Sequence, residues 1–324
     1  MLCVSKRGMR LRKPKQIAEH EAKGEIERVY HEIRQVLRVN GVNLNFRTWA
    51  GYGGFLPLMW DAIRPNAETR AFENAADEIR AEAVEKAAAL GKLNAATRVT
   101  LGQSQSYQVR KALDLYHYVN PKLLLLTSAA YMALTSSHVL QEVERGDSLE
   151  RLSRGFPSKM YPMEMVSDKP KDKRLAELFN DIKKTLSLVS INSDYRTLAL
   201  WPDYLAAAWE CLKPILRQDA YVRASNDLRE SSRSQARNFP IPVRLSREAV
   251  AQQGEDAEAI IKITESFERL LPSLIINIAL FQLDWADAET LRRPPFPAET
   301  RPIPTRQHKT EHGLAGVSIP TAGA

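Results

Sequence analysis

The stretch Asn43-Leu44-Asn45-Phe46-Arg47-Thr48-Trp49-Ala50 returns 149 residues later as Asn192-Ser193-Asp194-Tyr195-Arg196-Thr197-Leu198-Ala199. The correspondence extends both ways without a gap, residues 26–80 falling on residues 175–229. Ile33, Leu37, Leu56, Trp60, Pro65, Ala71, Ala75 and Arg80 also meet identical residues. Twelve identities over these 55 positions compare with roughly three or four from average residue usage. Conservative pairs add to them, such as Tyr30 with Phe179, Phe55 with Tyr204 and Arg64 with Lys213. The pattern predicts a tandem duplication, two similar lobes packed as an intramolecular pseudo-dimer. One mismatch stands out: Asn45 faces Asp194. A symmetric scaffold with an acid in one half only is what a single, asymmetric active site needs.

Around this repeat the hydrophobic spacing is helical. Ile26, Val29, Tyr30, Ile33, Val36 and Leu37 form one face of a helix predicted over Ile17–Arg38, as expected for a period near 3.6. Val39–Asn45 reads as a loop. A helix over Phe46–Arg64 is predicted to stop at Pro65, followed by helices over Ala71–Leu90, Ala95–Tyr116 and Pro121–His138. Pro121 suits a helix start, where spare N–H groups make its missing donor harmless, with Asn120 beside it as N-cap. No run alternates with period two. The expected class is all-α: a basic disordered arm (1–15), a first helical repeat (16–144), a linker (145–173), a second repeat (174–291) and a Pro-rich arm (292–324). The second repeat ends in an apolar helix around Phe267–Phe281.

The net charge of +7 is unevenly spread. Residues 1–15 carry six basic side chains and no acid, and residues 292–324 carry five against Glu299 and Glu311. The body between them holds 35 basic and 37 acidic residues. Basicity therefore lies in the tails, which argues against a nucleic-acid-binding face on the lobes. No apolar run approaches the length of a membrane span, and no signal-peptide core follows the basic start. Cys3 and Cys211 are isolated thiols that suit a reducing cytoplasm. The expected location is cytoplasmic.

Much chemistry is absent. Gly51-Tyr52-Gly53-Gly54 lacks the lysine and the preceding strand of a phosphate loop, so its glycines read as a bend or close packing. The histidines, His20, His31, His117, His138, His308 and His312, form no established metal-ligand spacing; His308 and His312 are four apart but lie in the Pro-rich arm. There is no Gly-x-Ser-x-Gly elbow and no Cys-x-x-Cys. Cofactors and metals are expected to be none. Two segments remain: Ile191–Arg196 around Asp194, and His117-Tyr118-Val119-Asn120-Pro121-Lys122. Each has a plain structural reading, with Ser193 or Asp194 capping one helix and Asn120 another. Arg47 and Arg196 recur in both lobes and suit pairing or packing, and Trp60 and Trp209 suit the core.

At these residues the chain resembles the group I 2-haloacid dehalogenases, the helical halocarboxylic acid dehalogenase family. The resemblance runs from about Glu25 to Pro297. It rests on the duplicated lobes, Leu37-Arg38-Val39, Asn120-Pro121-Lys122 with its following leucines, Ser193-Asp194, and Pro295-Phe296-Pro297. It implies an α-helical pseudo-dimer with one active site between the lobes, a general base at Asp194, a water-positioning amide at Asn120 and a pocket serine at Ser193. Gly41 and Leu44 stand where family members accepting both enantiomers carry aromatic residues, and Phe267 stands in place of a tyrosine. With Asn45 these are the substrate-binding candidates, and the reading leans to the D-enantiomer, with both enantiomers as the alternative.

The reaction implied is 2-haloacid plus water to 2-hydroxyacid plus halide, on short substrates such as 2-chloropropionate. An ionised Asp194 would take a proton from the attacking water, and Asn120 would fix the direction of attack. A carboxylate attacking first, with an ester intermediate, is equally open to the sequence. The competing reading from another class is a non-catalytic helical pseudo-dimer that binds a small carboxylate or a partner protein. Nucleic-acid binding through the arms is a third. The expected partner is a small 2-haloacid, with no nucleic acid and no membrane, and a homo-oligomer is left open.

Overall fold

The computed structural model describes residues 15–136, 149–188 and 190–301. The basic arm but for its last residue, most of the Pro-rich arm, and His138, His308 and His312 lie outside the described residues. Among the described residues all regular elements are helices, and β pairing is limited to two isolated bridges, Thr69 with Arg151 and Leu152 with Thr300. The protein is all-α. Among the described residues no helix is long and apolar enough to cross a membrane.

The described residues form twelve α-helices, in order: α1 (Gly24–Val36), α2 (Leu44–Trp49), α3 (Phe55–Ala67), α4 (Arg70–Leu90), α5 (Gln103–Thr135), α6 (Lys173–Thr185), α7 (Ser193–Leu198), α8 (Pro202–Leu212), α9 (Asp219–Arg237), α10 (Arg247–Gln252), α11 (Ala257–Gln282) and α12 (Ala288–Arg292). Helices α4, α5, α9 and α11 all touch one another and form the centre of the molecule. The short helices α2 and α7 pack at the flank of this group, α7 against α5 and α2 against α11 through Trp49, whose indole N–H donates to Thr264 Oγ1 (3.2 Å). Trp49 also meets Phe46, Phe55 and Phe267 edge to face, with ring centroids 5.8–6.1 Å apart. Such pairs add roughly 0.5–1.5 kcal/mol each beyond burial, so α2 is held firmly despite its length.

The apolar face of α1 is buried as its spacing predicts, through Val29, Tyr30, Ile33 and Val36. The helix starts later than predicted because a 3₁₀ turn at Glu19–Glu21 precedes it. It ends in a Schellman turn: Arg38 takes φ 60° and the Val39 N–H reaches Arg34 O (3.0 Å). Helix α6 ends alike, with Ser187 at φ 54° and Leu188 N–H on Lys183 O (2.8 Å). Residues other than Gly or Asn are uncommon in this left-handed position.

Further helix boundaries differ from the sequence reading. The helices expected over Ala95–Tyr116 and Pro121–His138 are one, α5, with Pro121 in its interior. Pro121 withholds one hydrogen bond from the His117 carbonyl. Burial of the whole run from Leu115 to Ala130 outweighs this, since tertiary packing contributes more to helix stability than propensity does. Asn120 is therefore no N-cap. The single helix expected over Phe46–Arg64 is two, α2 and α3. Gly53 turns the chain between them at φ 26°, and a Cβ there would sit 2.6 Å from Glu255 Oε1, so the glycines do serve a bend. Helix α3 also runs past Pro65 to Ala67.

Residues of the expected linker fasten parts of the body together. Arg151 and Arg154 both bind the Glu68 carboxylate, Tyr161 O accepts from Asn40 Nδ2 (2.6 Å), and Glu164 O accepts from Thr197 Oγ1 (2.6 Å). The Val166 N–H then meets Arg196 O (3.1 Å).

Candidate active site

Helix α7 begins at Ser193, with Asn192 as N-cap and no side chain capping the turn. Ser193 and Asp194 are thus the first two helical residues rather than caps. Helix α7 is clamped at two points. Tyr116 on α5 hydrogen-bonds Thr197 (2.7 Å), and Asn277 Nδ2 on α11 donates to the Tyr195 hydroxyl (3.0 Å). Tyr221 in turn donates to Asn277 Oδ1 (2.8 Å). Residues four apart share a helix face, so Asn120 lies one turn along α5 from Tyr116. Its amide Nδ2 donates to Asp194 Oδ1 at 2.6 Å. The two candidate catalytic side chains meet because one face of α5 reads Thr197 and Asp194, three apart on α7.

The next face of α5 secures the helix itself. Lys122 Nζ, fully buried, donates to Glu73 Oε2 (2.7 Å) and Leu37 O (3.2 Å) and lies 3.8 Å from the Tyr118 ring centroid. Tyr118 donates to Glu73 Oε1 (3.1 Å), and Arg38 donates to the Tyr118 hydroxyl (3.2 Å). Burial pushes Lys122 down to about 8 against the pull of Glu73. This network ties α5 to α4 and to the left-handed turn that ends α1, fixing Asn120 from behind.

Asp194 is 3% exposed. Burial pushes its carboxyl up to about 7, and the hydrogen bonds from Asn120 and from its own N–H only partly oppose this. A base poised near neutral pH is suited to proton abstraction. Asp194 and Asn120 open onto a cavity of about 30 Å³, room for one or two waters. Leu44, Asn45, Ser193 and Phe267 line it too, and so do Asn43 and Asn192. Gly41 is not brought there; it packs under Met163, where a Cβ would come within 2.8 Å of the sulfur.

The cavity wall is rich in unmet polar atoms. Asn43 Oδ1, Asn192 Oδ1, Ser193 Oγ and both amide atoms of Asn45 are buried without a hydrogen-bond partner. Each such group costs about 1–3 kcal/mol, and native proteins seldom keep them without reason. Clustered beside a carboxylate, they are donors and acceptors that water or a small polar ligand can engage. The caps Asn43 and Asn192 were not among the sequence candidates, although both belong to the identical pairs of the repeat. Tyr116, Tyr195 and Asn277 were also missed; Asn277 is a lone amide inside the apolar run from Leu274 to Phe281.

Comparison with known proteins places the chain beside one group of enzymes. A family model described as "Halocarboxylic acid dehydrogenase DehI" matches residues 40–195, a span containing both Asn120 and Asp194. An (R)-2-haloacid dehalogenase of Pseudomonas putida is 28% identical, over 82% of this chain and 91% of its own length. A configuration-inverting 2-haloacid dehalogenase of Pseudomonas sp. (strain 113) is 29% identical, over 69% of this chain and 75% of its own. The structure of a D-2-haloacid dehalogenase in complex with L-LA superposes with a TM-score of 0.78 at 27% identity, covering 83% of this chain and 95% of that one. With the helical fold in hand, these likenesses lead to one conclusion: over most of its length the chain is similar in sequence and fold to the helical 2-haloacid dehalogenases.

Proposed function

We propose that the protein hydrolyses 2-haloalkanoic acids, foremost the D-enantiomer, exchanging halide for hydroxyl with inversion. Relatives named for (R)- and D-2-haloacids support the enantiomer, and those named configuration-inverting support the stereochemical course. The observation that carries the reading is the buried Asp194 carboxylate, held by Asn120 at the wall of a small cavity lined with unmet polar atoms.

In this mechanism ionised Asp194 accepts a proton from water as the water oxygen attacks C2 of the substrate. The carbon–halogen bond breaks on the opposite face, and halide leaves with the bonding pair. Asp194 then returns its proton to solvent. Asn120 occupies one Asp194 oxygen with its Nδ2, leaving the other for water, and its own Oδ1 takes the second water hydrogen. Ser193 Oγ and Asn45 Nδ2 supply donors for the substrate carboxylate. Leu44 and Phe267 form the apolar wall around the halide. Gly41 has no part in it. The direct test is chloride release from separate D- and L-2-chloropropionate. Release from the D-enantiomer, falling by a factor of about 10²–10⁴ in Asp194→Asn, is the expected result. Folded protein without release from either would refute the reading and restore the non-catalytic alternative.

The scaffold fits a duplication with pseudo-twofold symmetry, repeats at 16–144 and 174–291 being joined by 145–173. Helices α6, α7 and α9 begin 149 residues after α1, α2 and α4. Trp60 donates to Glu32 (3.0 Å) and Trp209 to Asp181 (2.7 Å), the same pair at the same offset. The left-handed turns at Arg38 and Ser187 obey it too. On this reading the axis relates Asn45 to Asp194, and one half of an otherwise symmetric site became the base.

A further inference from the structure

The cavity at Asp194 adjoins a much larger one. A pocket of about 550 Å³ shares Leu44, Asn192, Phe267, Leu270 and Leu274 with it and lies between α11 and the described residues Leu186, Ser187, Leu188 and Ser190. Among the described residues Leu186, Leu188 and Ile263 extend its apolar wall. Its inner polar groups, Tyr195 and Asn277, are already bonded to each other, and Asn277 is further engaged by Tyr221. Its lining cation, Arg269, is exposed and paired with Glu265 at 2.6 Å. Of the other polar side chains around it, Thr48, Ser266 and Ser273 are hydrogen-bonded within the protein, and Gln16, Ser187 and Ser190 complete the lining beside the apolar wall. The volume lies in the range of pockets that enclose drug-sized ligands, far beyond what the methyl group of 2-chloropropionate fills.

Resting on the proposed function, we infer that this pocket holds the alkyl chain of the substrate, and that the enzyme prefers 2-haloalkanoic acids of medium chain length. The carboxylate and halogen stay in the small polar cavity. The chain from C3 onward passes between Leu44, Phe267 and Leu274 into the larger pocket. Its methylenes leave water without displacing any polar contact.

The test is kcat/KM along the D-2-bromo series from propionate through butanoate and hexanoate to octanoate, with wild type, Ile263→Trp and Ser266→Trp. Burial of one methylene corresponds to about a fourfold gain, so hexanoate, three methylenes longer, should exceed propionate by about 60-fold. Each tryptophan, placed in the outer pocket away from Asp194, should bring that ratio close to one. Turnover of 2-bromopropionate reports that a variant is folded. Turnover of propionate with no rise along the series would overturn the inference and leave the proposed function standing. A rise untouched by either tryptophan would also overturn it, since the chain would lie elsewhere. No turnover of any acid would overturn both.

Discussion

On the proposed mechanism the Asp194 carboxyl carries the chemistry, and its burial carries a cost in stability. Its folded-state value of about 7 exceeds the ordinary value of 3.8 through burial. Between those values the folded protein holds a proton that the unfolded chain has lost. Stability contributed by the neutral carboxyl is therefore full below pH 4, falls as pH rises, and is gone above pH 7. A shift of about three units corresponds to on the order of 4 kcal/mol. Asp194→Asn should accordingly be more stable than the native protein at pH 8, by up to about that amount, and no more stable at pH 4; urea midpoints at the two pH values measure it. Activity should run the other way, because only the ionised carboxylate accepts a proton: kcat/KM should rise through pH about 7. Asn120→Ala removes a hydrogen bond that lowers the Asp194 value. It should move that rising limb to higher pH and reduce kcat by about 10²-fold. An unshifted limb would mean that Asn120 does not govern the base.

At the scale of helices, the account makes α5 a two-faced ruler. Tyr116 and Asn120 set α7, and Tyr118 and Lys122 anchor α5 to α4. Tyr116→Phe deletes the bond to Thr197 and should cost about 1 kcal/mol, with kcat falling more than KM rises because Asp194 loses its aim. Glu73→Gln leaves the Lys122 ammonium buried without its counter-charge and should destabilise by about 3–5 kcal/mol. Replacing both, as Glu73→Leu with Lys122→Met, should recover most of that loss in thermal unfolding. These elements were only partly legible in the sequence. The amphipathic face of α1 was plain from spacing, and a helix was expected over most of α4. The continuity of α5 through Pro121 was not, because a proline reads locally as a boundary and only burial along the whole helix overrides it. The break between α2 and α3 was hidden likewise, since Phe46–Arg64 keeps an apolar pattern across the glycine bend.

For the whole molecule, helical spacing and the lack of period-two runs made the all-α class readable from the sequence, and the Asn45–Asp194 mismatch in the repeat drew attention to one acid. That pointed at the acid but not at its surroundings. The pairing of Asn120 with Asp194 joins residues 74 apart, and the supports at Tyr195 and Asn277 join residues 82 apart. No local pattern encodes such distances. The cluster of unmet amides was equally invisible, since an asparagine shows its missing partner only once its neighbours are placed. The central claim concerns what Asp194 does to water, and a single turnover in ¹⁸O-labelled water with enzyme in excess over D-2-chloropropionate tests it most directly. The account predicts that the first lactate formed carries the label and that the peptide containing Asp194 does not. Unlabelled lactate, with ¹⁸O recovered in the Asp194 carboxylate, would contradict it, because the carboxylate itself would then have attacked carbon.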